Sequence, residues 1–364
     1  VVPVDPAAAA ESPAYAGHHW AEPDVDALAA ALRAVHDDPV EAARRGAAAR
    51  ARVARYDHHK VARDALTTLA DATPRRRPAP TPGRIPVVLS GPLFGLGSLA
   101  LVNRELATGL MDSPLVDLGL MTDETVRPGP GDPVGRALMP ALEGLVPGPA
   151  VTLRHGYPPR MHRARDGAVA AYLPWEYGAL PEPWVAAARD LDEVWCYSAH
   201  VRDGAVASGL DPERVAVVPL GVDPARFRPG VAPLALGDAA PGFRFLFVGG
   251  LIWRKGVDLL LDAYASAFTR ADDVTLVIKS YGRGGPYSSE PGRGRLEELM
   301  ADPTAARIAH VEGEVGDDQV PGLYEACDCL VQPYRGEGYG LPIAEAMASG
   351  LPVVVPDAGA ARDF

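Results

Sequence analysis

The chain has 364 residues, is 48% hydrophobic and carries a formal net charge of −12. That size allows two substantial cores, the charge excludes nucleic acid as an expected partner, and no apolar run reaches the about 18 residues of a membrane span. Cys196, Cys327 and Cys329 form neither a disulfide framework nor a metal-ligand pattern, so they read as reduced thiols of a cytoplasmic protein with no metal site.

The chain opens with a helical pattern over residues 24–70. Val25, Leu28, Leu32 and Val35 share one face, and Asp38-Pro39-Val40-Glu41 has the order of a helix start. A further short helix would use Val61, Ala65, Leu66 and Leu69. Residues 73–84 place proline at every few positions and read as a semi-rigid extended linker. Strands are then expected at Ile85–Leu89, Leu115–Met121, Ala150–Leu153, Ala168–Leu173, Val194–Ser198 and Val215–Pro219, with a helix from about Leu99 to Leu110. Prolines 224, 229, 233 and 241 mark a boundary. A second series follows: strands at Phe243–Val248, Val274–Ile278, Ile308–Val311, Cys329–Gln332 and Leu351–Val355. A helix after Lys255-Gly256 buries Val257, Leu260, Leu261, Tyr264 and Phe268. Alternating buried strands and helices predict parallel sheets covered on both faces, in two domains.

The most informative stretch is Glu337-Gly338-Tyr339-Gly340-Leu341-Pro342-Ile343-Ala344-Glu345. Two carboxylates flank a glycine turn and a helix start, whose free N–H groups attract a diphosphate. Earlier, Val248-Gly249-Gly250 leads to Arg254-Lys255 at another helix start, a poor place for cations unless an anion is held there.

Together these residues resemble the retaining family-4 glycosyltransferases (glycosyl transferases group 1), whose E-x7-E motif matches Glu337 to Glu345. The resemblance implies the α/β GT-B fold, with two Rossmann-like domains facing a cleft. Residues 85–228 would be the acceptor domain and 241–364 the nucleotide-sugar domain. Residues 1–72 are similar to the tail of such an enzyme. The chain would then be a slice across two tandem enzymes or, as the second choice, a circular permutation. Either way residues 1–72 are expected to dock on the 241–364 domain, because orphaned apolar helix faces need a partner.

The resemblance also implies roles. Glu337, Lys255 and His155 would be catalytic. Gly250, Arg254, Lys255, Glu314, Glu337, Gly338, Tyr339, Gly340, Leu341 and Glu345 would bind the donor, with Glu345 on the ribose. Gly95, Gly97, Ser98 and Glu176 would face the acceptor, with Trp175 offering a sugar-stacking face. Much of the family has arginine where this chain has Gly250, which leaves Arg254 to supply that charge. The donor would be linked to UDP or GDP and the acceptor would be a saccharide or glycan. No cofactor or metal is required, and peripheral membrane contact stays open through Arg75–Arg77 of the linker. The rivals are a nucleotide-sugar-binding module without catalysis and a pyridoxal-phosphate phosphorylase using Lys279. A Rossmann dehydrogenase ranks last, because Gly95-Leu96-Gly97 lacks the third glycine and a ribose-binding acid.

Overall fold

Asp24 and Asp38 start the first two helices, their carboxylates accepting from the backbone N–H of Ala27 and Glu41 at 2.7 and 2.9 Å. The protein is seen in a computed structural model that describes residues 2–4, 6, 16–71, 84–95, 97–125, 128, 132–144, 146, 150–164, 167–236, 242–281 and 291–364, with backbone alone at 69–71. The linker at 73–84 lies outside the described residues except for Arg84. Two units form: Tyr56–Gly221, and a discontinuous one built from Val1–Arg55 and Val222–Phe364.

In the discontinuous unit, β1 (Val2–Pro3) and β2 (His19–Trp20) pair antiparallel, and α1 (Val25–Asp37) and α2 (Pro39–Val53) follow. The other unit begins with α3 (His58–Asp71). It continues through β3 (Ile85–Ser90), α4 (Ser98–Met111), β4 (Val116–Met121), α5 (Pro133–Glu143), β5 (Ala150–His155) and β6 (Gly167–Leu173). It closes with α6 (Glu182–Ala188), β7 (Glu193–Cys196), α7 (Ala199–Ala207) and β8 (Val215–Val217). Its sheet is parallel throughout, in the order β4-β3-β5-β6-β7-β8.

The chain then returns to the discontinuous unit with β9 (Phe243–Val248), α8 (Val257–Ala267), β10 (Val274–Ser280), α9 (Arg293–Ala301) and β11 (Arg307–Glu312). The last elements are α10 (Val320–Glu325), β12 (Cys329–Val331), α11 (Leu341–Ala348) and β13 (Val353–Val354). This sheet is also parallel, in the order β11-β10-β9-β12-β13. All seven residues of β10 are buried, as a strand covered on both faces requires.

The N-terminal helices divide between the units. Leu28 and Leu32 of α1 enter the core of Phe245, Phe247, Leu260, Tyr264 and Phe268, and Arg33 pairs with Asp272 at 2.9 Å. Gly46 of α2 approaches the end of α11 so closely that a Cβ there would stand 2.0 Å from Gly350 O. Helix α3 instead packs on α4 of the other unit, where Gly109 lies against Ala62. The expected docking of all of residues 1–72 on one domain is therefore corrected: α3 finds its apolar partner next to the first sheet. Residues 222–236, expected as a boundary, belong to the second unit, where Phe227 meets the Tyr324 ring and Leu234 N–H donates to Gly322 O at 2.8 Å.

Leu32 is fully buried, whereas Val40 is 80% exposed. Leu32→Ala is expected to cost the discontinuous unit about 2–5 kcal/mol in urea denaturation. Val40→Ala should change nothing measurable; equal effects of the two would place α1 outside the core.

Candidate active site

In the second sheet the strand order reverses between β9 and β12. Open parallel sheets gather ligands beyond the carboxyl ends of strands at such a reversal. After β9 the chain makes a one-turn helix, Trp253–Lys255, closed by Gly256 at φ 71°, where a Cβ would stand 1.9 Å from Pro333 O. After β12 it runs through residues 332–339 to Gly340, the cap of α11, at φ 94°. Both turns need glycine because a side chain is disfavoured at positive φ.

These loops bring together residues 82 positions apart. Lys255 Nζ donates to Glu337 Oε2, and Arg254 Nη1 lies 3.9 Å from the same oxygen. The Glu337 side chain is 12% exposed, Lys255 11% and Arg254 4%. Burial pulls the Glu337 pKa upward, but the Lys255 and Arg254 cations and the Gly338 N–H hold it below its ordinary 4.5. The two loops are also stitched by backbone: Arg335 N–H donates to Arg254 O at 2.8 Å, and Arg254 Nη1 donates to Gly336 O at 3.0 Å.

The other expected donor residues lie on the same unit. Glu345, on the second turn of α11, is buried and accepts from Tyr324 Oη at 2.5 Å. Tyr339 is buried with its ring 5.0 Å from that of Phe364, and Leu341 opens α11 beside Gly340. Gly250 is buried in the β9 loop. Glu314 is exposed beyond β11, next to Gly313, whose carbonyl accepts from Lys279 Nζ at 2.6 Å. Lys279 also donates to Ser280 O at 2.9 Å, so this lysine serves as a tie between backbone carbonyls.

The acceptor-side residues belong to the Tyr56–Gly221 unit, where two expectations are corrected. His155 is 1% exposed and both ring nitrogens are engaged, Nδ1 with Asn103 Oδ1 at 2.6 Å and Nε2 with Tyr197 Oη. Asn103 spends its N–H groups on Pro92 O and His155 O, so its Oδ1 is the acceptor and the proton sits on Nδ1. Burial pushes the His155 pKa down to about 3. It is a satisfied core histidine and has no free nitrogen for catalysis. Trp175 is likewise fully buried, with Nε1 donating to Ala179 O at 3.0 Å and its ring 5.0 Å from that of Trp184, so it presents no stacking face.

Gly95, Gly97 and Ser98 do lie between the end of β3 and the start of α4, and Glu176 is half-buried after β6. The N–H groups of Leu93, Phe94 and Gly95 are taken by the Glu124 carboxylate, at 2.5, 2.8 and 2.8 Å. Sequence reading missed Glu124; its signal was an acid three residues past the end of a strand. It also missed Arg335, two residues before Glu337, and Tyr324, the partner of Glu345.

Residues 242–364 match the family Glycosyl transferases group 1. Two similar proteins are a D-inositol 3-phosphate glycosyltransferase of Acidothermus cellulolyticus and one of Geodermatophilus obscurus. The first is 31% identical over 50% of this chain and 43% of its own length. The second is 37% identical over 42% of this chain and 35% of its own length. The chain thus spans less than half the length of these curated relatives. Among solved structures, Anabaena HepE in complex with UDP-glucose is similar with a TM-score of 0.54 at 16% identity, covering 77% of this chain and 82% of that one. Sucrose-phosphate synthase of Thermosynechococcus elongatus has a TM-score of 0.50 at 17% identity, covering 76% and 82%. At these identities the likeness concerns fold alone, that of the two-domain GT-B proteins.

The buried neutral His155 makes the Tyr56–Gly221 unit acid-sensitive. Its folded pKa of about 3 lies below the ordinary 6.5, so between those values the unfolded chain binds more protons. Stability is fully present above pH 6.5 and should fall as the pH drops toward 3, by up to about 1.4 kcal/mol per pH unit. Urea midpoints of this unit's transition, measured on the full chain from about pH 7.5 down to about 5, through the ordinary histidine pKa of about 6.5, check this. A flat profile would contradict the neutral, sealed imidazole.

Proposed function

Because residues 242–364 match the family Glycosyl transferases group 1 and the chain has the GT-B fold, we propose that it transfers a sugar from a nucleoside-diphosphate donor to a saccharide acceptor, with retention at the anomeric carbon. The observation that carries this reading is Glu337 held by Lys255 and Arg254 at the reversal of a parallel sheet.

The chemistry follows from charge. As the bond between the anomeric carbon and the donor's β-phosphate breaks, negative charge grows on the leaving diphosphate. Lys255 has three N–H donors and gives one to Glu337, which leaves others for phosphate oxygens. Arg254 adds a second fixed cation, and the α11 start adds backbone N–H groups. Cations placed in advance act where charge develops, and one such group is worth about 10²–10³ in rate. This supply of positive charge supports a transfer that needs no metal. Glu337 would meet hydroxyls of the transferred sugar, and Glu345 the ribose. No carboxylate is assigned as a nucleophile; the departing phosphate oxygen takes the acceptor's proton on the face it leaves.

Gly95, Gly97, Ser98 and Glu176 are proposed to face the acceptor. The donor is proposed to be linked to UDP or GDP, with the chain at Glu314 meeting the base. Three buried thiols support a reducing, cytoplasmic setting. Among the described residues no helix is long and apolar enough to cross a membrane.

Calorimetric titration of UDP, GDP and ADP into the full chain tests the reading. One of them should bind at micromolar Kd, and Lys255→Ala should weaken it about 10–100-fold, the worth of a charged hydrogen bond. A folded chain that binds none overturns the proposal. Binding without sugar transfer to any saccharide acceptor points to the non-catalytic binding module.

A further inference from the structure

Arg335 is 6% exposed, yet every N–H of its guanidinium is engaged. Nε and Nη2 donate to Glu22 Oε2 and Oε1 at 2.8 and 2.7 Å. Nη1 and Nη2 donate to Asp258 Oδ1 and Oδ2 at 2.8 and 2.7 Å, and Nη1 also donates to Trp253 O at 2.8 Å. Its plane is flanked by the Trp20 and Trp253 rings, 5.2 and 5.7 Å away. The backbone joins in, since Ala21 N–H donates to Arg335 O at 2.8 Å. Trp20-Ala21-Glu22 thus grips one residue by ring, main chain and carboxylate.

We propose that Glu22 is a positioning residue of the donor site, holding the Glu337 loop against the Trp253–Lys255 turn through Arg335. The inference rests on the donor-site reading above. Arg335 reaches the turn by its side chain at Trp253 O and by its N–H at Arg254 O, and Gly336 O receives Arg254 Nη1. Any shift of residue 335 therefore moves Glu337 and Arg254 relative to each other. Two bidentate carboxylates fix the guanidinium from opposite partners, a geometry that an arginine supports and a lysine does not. In Glu22→Gln, one of the two N–H groups faces an amide NH2 in place of an acceptor, and Asp258 alone opposes a buried cation. Breaking one side of such a pair costs more than the pair itself is worth. The guanidinium then swings toward Asp258 or solvent and the loop loosens. The role is one of placement: Glu22 itself touches no donor atom.

The test compares four variants of the full chain by nucleotide titration and thermal unfolding. Arg33→Ala removes the same segment's pairing with Asp272 and with Ala267 O, away from the loop, and Leu32→Ala removes core packing. Both destabilise the unit without touching the clasp. Glu22→Gln is expected to weaken binding of the nucleotide that the native chain prefers by about tenfold, while Arg33→Ala and Leu32→Ala, measured where each is fully folded, change it less than about twofold. Glu22→Asp, which keeps the charge at shorter reach, should fall between. If Glu22→Gln binds as the native chain does, or if its loss is matched by the two controls at equal destabilisation, the positioning role is overturned and Glu22 is an anchor only. If the native chain binds none of UDP, GDP and ADP, the donor-site reading fails and the positioning role with it.

Discussion

A carboxylate and two cations set almost out of water must be held by something other than their own attraction. Removing charges from solvent costs several kcal/mol per ion, and their mutual pull recovers this only in good geometry. Glu337, Lys255 and Arg254 meet that condition because two loops are locked to each other by backbone hydrogen bonds and because Arg335 is braced from outside. The loops leave adjacent parallel strands at the reversal of the sheet, so the strand register sets their spacing before any side chain acts. Nearly every unusual feature nearby serves that placement: a glycine with no room for a Cβ, a second glycine capping α11, and a guanidinium with no free N–H.

The two units share an architecture and treat the same position differently. In the Tyr56–Gly221 sheet the loop after β3 presents three consecutive N–H groups, and a carboxylate of the chain itself, Glu124, occupies them. In the other unit the loops after β9 and β12 gather cations around Glu337. The first arrangement satisfies its polar groups internally. The second, with one negative and two positive groups, keeps a local excess of positive charge in a chain whose overall charge is −12.

Periodicity is enough to place most strands; Lys255 and Glu337 stand out separately, through the family resemblance and their glycine-marked turns, and only the fold shows that they pair with each other. Sequence reading erred where the answer depends on a partner far along the chain. His155 is a catalytic candidate through the family resemblance, but its nitrogens are taken by Asn103 and Tyr197, 52 and 42 positions away. Trp175 reads as a sugar platform until Trp184 and Tyr177 cover it. Arg335 left no mark, since its carboxylate partner Glu22 is 313 positions distant and only the fold joins them. Helix α3 was grouped with α1 and α2 because apolar faces show that a helix must pack, not against what.

The discontinuity of the second unit has a consequence in time. Helices α1 and α2 leave the ribosome while the sheet that they cover does not yet exist: β9 begins roughly 190 residues after α2 ends, about 10–40 s of synthesis. For that interval Leu28, Leu32 and the small-residue face around Gly46 have no native surface to bury. Tyr56–Gly221, whose strands are contiguous in the chain, can fold first and leaves the early helices waiting on a tether. The low overall hydrophobicity and the several arginines of α2 then matter for a reason unrelated to the finished structure: they help keep a waiting segment dispersed until its partner arrives.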